Sequence, residues 1–278
     1  PSASDRHRGY ELTSVGGKYA VEPADGLRLS ASFTHTEGFV DFARPVKAIR
    51  AVNERNEEIA WVKLDYDLSD ALGFYVKGYW HDWRSHYDET DNSARGPVKV
   101  DDREVWTFRD KGINAVGRYV PRAGLELWGG YDYQRYGGFD DVLIIAPRKE
   151  SANAVFAQVR VTPELLPNAH LAAGVRRNLL KTARDATVWN VSGQYDLPGG
   201  LFVRANGGTS FRLPDAESLF ANDPLFNGEI GNPNLKPERS RNLNASLGGQ
   251  AAGVSWELTG FARRTTDLIS LDGPTPDP

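Results

Sequence analysis

The sequence predicts an all-β fold, a transmembrane antiparallel β-barrel of about twelve strands, and three observations carry this prediction. Hydrophobic and polar residues alternate along most of the 278 residues. The segments between the predicted strands are short and long in turn. No run of about 18 apolar residues is present, which excludes a transmembrane helix and leaves a barrel as the only way to cross a bilayer. We expect residues 1–278 to form one barrel segment.

The alternation has the two-residue period of a β-strand. Leu125 and Leu127 flank Glu126, and Val203 precedes Arg204. Strands are predicted near 10–21, 27–36, 57–68, 72–83, 103–120, 125–136, 151–162, 169–178, 184–196, 201–212, 239–250 and 253–265, with ends good to about three residues. Several of these match the roughly 9–11 residues that cross a bilayer at a tilt, whereas globular strands have about 5–6.

The alternation also predicts which side chains face lipid and which face the lumen. We expect Leu125, Leu127, Val155, Val159, Leu201 and Val203 to point outward and Arg160, Arg204 and Asn206 inward. Aromatic residues near the strand ends would suit a girdle at the membrane interface, namely Trp80, Trp83, Tyr133, Tyr136 and Phe211.

The connections between strands alternate in length. Tight turns are predicted at 22–26, 69–71, 121–124 and 198–200, and long links at 37–56, 84–102, 137–150 and 213–238. Tight turns at one end and long loops at the other are typical of bacterial outer-membrane barrels, whose extracellular loops are the extended ones.

Composition excludes several other classes of protein. The net charge is −4 with mixed signs, so the basic footprint that nucleic-acid binding needs is missing and no nucleic-acid partner is expected. The chain has no Cys, which excludes disulfides, thiolate metal sites and a cysteine nucleophile. It also has no Met and no signal peptide, which indicates a processed chain or a fragment.

One stretch carries a specific family resemblance. Gly208-Thr209-Ser210-Phe211-Arg212 is followed by Pro214, then Leu219-Phe220, then Gly231-Asn232-Pro233-Asn234-Leu235-Lys236-Pro237-Glu238. These motifs, with flanking segments at 187–192, 253–256 and 267–269, resemble TonB-dependent receptors of the cobalamin and siderophore branch. The close resemblance covers roughly residues 185–271, and the remaining residues match in their rhythm of strands and loops.

The resemblance implies active import across the bacterial outer membrane of a scarce nutrient, such as a ferric siderophore, cobalamin or another metal chelate. It implies energy from the TonB complex through an N-terminal segment, and a plug domain inside the barrel; neither is found here. Such receptors have 22 strands, so about twelve would be part of a barrel that does not close by itself. The resemblance further implies outer-membrane lipid as a partner, no enzymatic activity and no cofactor.

Ligand capture is predicted in the extracellular loops, because loops vary while strands are fixed by the bilayer. The candidate ligand-binding residues are Tyr87, Arg95, Phe139, Asp140, Phe220 and Phe226. Their aromatic and charged groups suit a chelate that is flat, anionic or both. Phe220 and Phe226 would equally suit packing of the loop on itself. The pair Asp140-Asp141 would offer oxygen ligands to calcium in the loops, but no further acidic residues follow at ligand spacing, so an ordinary polar turn is the preferred interpretation.

Three alternatives stay open from the sequence. A passive porin-like barrel would share the strand pattern but would not need the motif at 231–238. A barrel enzyme would need a Ser–His pair such as Ser192 and His170. A soluble β-rich module would also show alternation. His81 and His86 are close in sequence, but their spacing places them on opposite faces of a strand, which disfavours a shared metal.

Overall fold

The computed structural model describes residues 9–43, 49–92, 96–181, 185–223, 228–229, 231–251 and 253–270. Its main feature is one twelve-stranded antiparallel sheet in which neighbours along the chain are neighbours in space. The strands of this sheet are β1 (Gly9–Ala24), β2 (Leu27–Ala43), β3 (Ile49–Ser69), β4 (Leu72–Asp91), β5 (Val98–Arg122), β6 (Leu125–Asp140), β7 (Ile145–Val161), β8 (Ala169–Leu180), β9 (Ala186–Leu197), β10 (Leu201–Arg212), β13 (Glu238–Ala251) and β14 (Val254–Thr266). The all-β prediction and its strand number are confirmed.

A small unit is inserted between β10 and β13. It consists of a short helix, α1 (Ala216–Phe220), and a two-stranded hairpin of β11 (Asn222–Asp223) and β12 (Gly228–Glu229). Within the described residues, no helix has the length and apolar character to cross a membrane.

The sheet has one apolar and one polar face, as the alternation predicts. The residues predicted outward and those predicted inward lie on opposite faces. The apolar side chains are largely uncovered: Val155 is 51% exposed and Val203 is 41% exposed. We call this the outer face and the opposite, polar one the inner face. Uncovered apolar side chains on this scale are stable only against lipid or another apolar surface.

Cross-strand pairs differ between the two faces. On the outer face Leu64 lies between Leu29 and Val76, so three aliphatic side chains stand in one row. On the inner face polar groups satisfy one another: Arg204 Nη2 donates to Gln194 Oε1 at 2.8 Å on the neighbouring strand. Such pairs are the unit of sheet stabilisation, and their sorting fixes the register because a one-residue slip would exchange the faces.

All four predicted tight turns are present, and they lie at one end of the sheet, which we call the turn end. In the β5–β6 turn Gly124 has φ of 75°, and a Cβ there would lie 2.4 Å from the backbone nitrogen of Leu165. Both constraints require glycine. The β9–β10 turn is a single 3₁₀ turn, Pro198–Gly200.

The prediction of long links at the opposite end, the loop end, is wrong in three of four places. Strand β2 extends to Ala43 and β3 begins at Ile49. Strand β4 extends to Asp91 and β5 begins at Val98, and only residues 141–144 separate β6 from β7. β5 therefore has 25 residues. Beyond the apolar band both faces of a strand meet water, so the alternation fades while the backbone ladder continues. Of the four predicted long links, 213–237 alone is a long connection between the described strands.

The edges of the sheet are β1 and β14. Among the described residues β1 pairs with β2 alone and β14 with β13 alone, so these strands do not close a twelve-stranded barrel. Open edges in hydrocarbon leave backbone groups without partners, at a cost of several kcal/mol each. The expectation that this chain alone is part of a barrel agrees with this open sheet.

Candidate functional site

An aromatic cluster occupies the inner face near the loop end. It comprises Trp83 and Tyr87 on β4, Trp106 and Phe108 on β5, and Tyr136 on β6. Trp83 is directly opposite Phe108, and Asp110 is opposite Tyr136, so the antiparallel register brings residues distant in sequence onto one patch. All five side chains are half-buried.

The rings of the cluster contact one another in a continuous series. Trp83 lies edge-on to Trp106, with ring centroids 6.4 Å apart. The ring of Tyr87 lies 6.4 Å from that of Trp106, and the ring of Phe108 lies 6.4 Å from that of Trp83. Phe108 in turn lies 6.4 Å from Tyr136. Offset and edge-on ring pairs of this kind are favourable, and the half-buried rings leave aromatic surface open to a ligand.

Charged groups border the cluster on its β3 side. The guanidinium carbon of Arg55 lies 4.8 Å from the ring centre of Trp83, within cation–π range. Glu57 accepts hydrogen bonds from Arg55 Nη2 at 3.0 Å and pairs with His81 Nε2 at 2.7 Å. Glu57 thus holds Arg55 in place beside the aromatic surface, where its cation faces the same space.

Polar side chains line the inner face towards the turn end. Gln134 Nε2 donates to Asp110 Oδ2 at 2.9 Å, and Asn114 Nδ2 donates to Asp132 Oδ1 at 2.9 Å. Arg176 on β8 forms a close ion pair with the same Asp132. The inner face therefore changes from aromatic near the loop end to hydrogen-bonded and charged below it.

The structure places the predicted ligand residues unequally. Tyr87 joins the aromatic cluster, but on strand β4 rather than in a loop, and its hydroxyl donates to Glu89 at 2.6 Å. Arg95 and Phe226 lie outside the described residues. Phe139 also lies on a strand, β6, with the parity of the outer face, so it points away from the cluster. The loop assignment of these strand residues is wrong because the hairpins are longer than the alternation indicates, and a ligand role for Tyr87 stays a prediction.

Asp140 is the last residue of β6, not a loop residue, and it helps to form the turn. Asp140 Oδ1 accepts from the backbone of Leu143 at 2.9 Å, and Asp141 Oδ2 accepts from that of Val105 at 3.2 Å. Burial raises the pKa of the nearby Glu104 carboxyl, and neighbouring carboxylates, including those of Asp141 and Asp140, raise it further. One oxygen of each aspartate is thus already engaged by the backbone, and calcium binding by this pair stays a prediction.

Phe220 closes helix α1 and packs within the protein. The guanidinium carbon of Arg148 on β7 lies 4.2 Å from its ring centre, and Asn222 donates from its backbone to Leu143 O at 2.8 Å. The long connection therefore reaches past the shorter strands β8 and β9 to the β6–β7 turn. This contact agrees with loop packing for Phe220, while its ligand role stays a prediction.

The motif at 231–238 has a structural task in this loop. A Cβ at Gly231 would lie 2.5 Å from the backbone nitrogen of Phe220, so only glycine allows this close approach. Asn232 donates from its backbone to Ser218 O at 2.8 Å. Glu238, which is 8% exposed, accepts from the backbone of Ile269 at 2.8 Å. These contacts fix the loop against α1 and against the residues that follow β14.

The histidines do not form a metal centre in the described part of the chain, where no group of three His, Cys, Asp or Glu side chains is placed to hold an ion. His81 lies on the inner face, and His86, five residues on, has the opposite parity, as predicted. His170 is opposite Gln194 and 4.0 Å from Asp196, whereas Ser192 is opposite Ala172, so this register does not juxtapose His170 and Ser192.

Sequence reasoning missed most of the aromatic cluster. The prediction that Trp83 and Tyr136 belong to an interfacial girdle is wrong, because both lie on the inner face, and the prediction does not include Trp106 and Phe108. The signal was available. On β4 the outward residues have even numbers from Phe74 onward, so the parity of Trp83 indicates the inner face.

Solved structures with the same architecture include siderophore receptors, a hemophore receptor and a copper transporter. The siderophore receptor PirA from Acinetobacter baumannii matches with a TM-score of 0.75 at 11% identity, over 95% of this chain and 44% of that one. A mutant of the ferric enterobactin receptor PfeA from Pseudomonas aeruginosa gives 0.76 at 12%, over 94% and 43%. A double mutant of the Serratia marcescens hemophore receptor HasR, in complex with its hemophore HasA and heme, gives 0.68 at 15%, over 92% and 46%. The chain spans less than half the length of each.

A family model agrees with these structural likenesses. Residues 48–278 match the model described as TonB dependent receptor-like, beta-barrel. Proteins of this family are transporters or receptors of the Gram-negative outer membrane rather than enzymes. The matched region includes the aromatic cluster, the loop motif and ten of the twelve strands of the main sheet, all but β1 and β2. The chain therefore belongs to the TonB-dependent receptor family, as part of its β-barrel.

Proposed function

We propose that this chain is the barrel portion of an active importer of a scarce metal chelate, such as a ferric siderophore or cobalamin. The aromatic cluster on the inner face is the observation that carries the proposal. Its half-buried rings, bordered by the Arg55 cation, suit a ligand that is flat, anionic or both. The cluster lies near the loop end, where a ligand arriving from outside first meets the inner wall.

Import rather than catalysis is the activity proposed. The residues around the cluster offer stacking surfaces and one paired cation, and His81 is hydrogen-bonded to Glu57 rather than to a nucleophile. A ligand held by several such contacts leaves slowly, and energy supplied through the TonB complex would release it inward. In this proposal the chain sits in the outer membrane of a Gram-negative bacterium and does not alter the ligand.

The proposal is tested by binding to the full-length protein purified in detergent. A panel of a ferric catecholate, heme and cobalamin is titrated by intrinsic fluorescence quenching. For the ligand that binds, Trp106→Ala and Phe108→Ala are each expected to weaken binding by roughly fivefold, since one aromatic contact contributes about 1 kcal/mol.

Trp256→Ala is the matched control, because this tryptophan of β14 lies on the outer face and is 42% exposed. It should leave affinity unchanged. Equal affinity in the Trp106→Ala, Phe108→Ala and Trp256→Ala proteins, with folding verified by heat-modifiable gel mobility, would remove the aromatic cluster from the ligand site.

A further inference from the structure

A cavity lies on the outer face near the loop end. It has a volume of about 520 Å³ and is formed between β9, β10, β13 and β14. Its lining includes Arg239, Arg241 and Arg264, together with Trp189, Thr209 and Phe211. We call it the arginine pocket. It is on the opposite side of the sheet from the aromatic cluster, so it is no part of the proposed import site.

The register concentrates positive charge in the arginine pocket. Arg241 is directly opposite Arg264 across the β13–β14 pair, and Arg239 is two residues along the same strand. Like charges directly opposite one another destabilise a sheet. An anion placed between Arg241 and Arg264 would offset this repulsion, and Arg239 lies close enough along β13 to share it.

The three arginines have no ion-pair partner among the described residues. Arg176, by contrast, is paired with Asp132, and Arg212 lies 3.6 Å from Glu238. Arg239, Arg241 and Arg264 are all exposed. The N–H donors of their guanidinium groups are therefore available to a ligand.

The position of the pocket identifies the source of the anion. Arg241 and Arg239 continue the outward-facing series of Leu247 and Leu243 along β13, at the point where apolar residues end. Trp189, 49% exposed, stands on the same face. Tryptophan and arginine beside an apolar band are typical of the level of lipid headgroups.

We propose that the arginine pocket binds the phosphate of an anionic lipid headgroup in the leaflet at the loop end of the barrel. Guanidinium groups match phosphate with paired hydrogen bonds, and the Thr209 hydroxyl is a further donor in the lining. The acyl chains of the same lipid lie along the outer-face leucines below. The pocket thereby fixes the barrel to one leaflet and offsets the repulsion between Arg241 and Arg264.

The test uses the full-length protein in nonionic detergent and native mass spectrometry. The probes are a phosphorylated glycolipid (lipid A), the same lipid after dephosphorylation, and inorganic phosphate. A basic residue near an anionic headgroup contributes about a fivefold factor. Arg241→Gln is therefore expected to weaken lipid A binding about fivefold. The triple variant, which combines Arg239→Gln, Arg241→Gln and Arg264→Gln, is expected to weaken it roughly a hundredfold.

Arg263→Gln is the matched control, because it is adjacent to Arg264 but points to the inner face, where it donates to Ser240 Oγ at 3.3 Å. It should bind lipid A as the unmodified protein does. The dephosphorylated lipid should bind as weakly as the triple variant binds lipid A. The triple variant should also unfold at a higher denaturant concentration than the unmodified protein when no lipid is present, because the mutual repulsion is gone.

Two results would overturn the proposal. One is a triple variant that binds lipid A within twofold of the unmodified protein. The other is inorganic phosphate competing as well as lipid A does, which would make the pocket a site for a free anion rather than a lipid.

Discussion

Placing an arginine at different depths on the outer face tests whether that face meets lipid. From Leu64 to the end of β3 at Ser69 there are five residue steps. Each step adds about 2.4 Å of height for a strand tilted by roughly 40°. Leu64 therefore stands about 12 Å above the turn end, at the middle of an apolar band about 25 Å tall.

Leu64→Arg is expected to destabilise the full-length barrel by about 2–4 kcal/mol, because the cation would lie near the bilayer midplane. Leu72→Arg, at the turn end of β4 and 44% exposed, is expected to cost about 0–1 kcal/mol because the side chain reaches the interface. Gln158→Arg makes the same change on the inner face, opposite Trp128, and should be close to neutral.

The assay is urea unfolding of the protein refolded in phospholipid vesicles, followed by tryptophan fluorescence and gel mobility. The expected order of destabilisation is Leu64→Arg first, then Leu72→Arg, then Gln158→Arg. An equal cost for Leu64→Arg and Leu72→Arg would refute the depth argument. A Gln158→Arg penalty as large as that of Leu64→Arg would mean that the faces are reversed.

Two further predictions concern the loop end. Gly231→Ala should loosen the loop and raise its rate of cleavage by trypsin several-fold, because a Cβ would meet the backbone of helix α1. Gly260→Ala is the control, since no atom lies within 4 Å of its Cβ position, and it should leave the cleavage rate unchanged. Equal cleavage rates in the two variants would contradict the close approach at Gly231. Because the pKa of Glu104 is raised in the folded protein, its ionisation destabilises the fold. This loss of folding stability is absent below the usual pKa of about 4.5 and complete once the pH exceeds the raised pKa. Glu104→Gln should therefore increase hydrogen-exchange protection of β5 and β6 at pH 7 but not at pH 4, and the same gain at both pH values would exclude this cause.

The sequence predicts the part of the fold that lipid enforces. Alternation such as that of Leu125 and Leu127 identifies strands and faces because the apolar side chains must point one way. It does not identify the ends of the hairpins, since beyond the bilayer a ladder such as β5 needs hydrogen bonds but no apolar face. The loops predicted around Tyr87 and Phe139 are strands for this reason.

The candidate site was partly within reach of the sequence. Parity places Trp83 on the inner face, and the same count places Tyr87 beside it. The pairing of Trp83 with Phe108, however, depends on the register between β4 and β5. This register is not encoded by the alternation in either strand alone, and it shifts again near Glu89 at the loop end. The aromatic type of Phe220 makes it a candidate ligand residue, but its contact with Arg148 depends on how the long connection folds back, which no local pattern encodes.

The most direct test of the proposed function is uptake of a labelled metal chelate by cells that produce the full-length protein, with and without a functional TonB complex. The chelate is the one bound most tightly in the titration of the purified protein. The proposal predicts saturable uptake that is lost when TonB is removed, while binding at the cell surface persists. Uptake that continues at the same rate without TonB would contradict active import and would favour a passive channel.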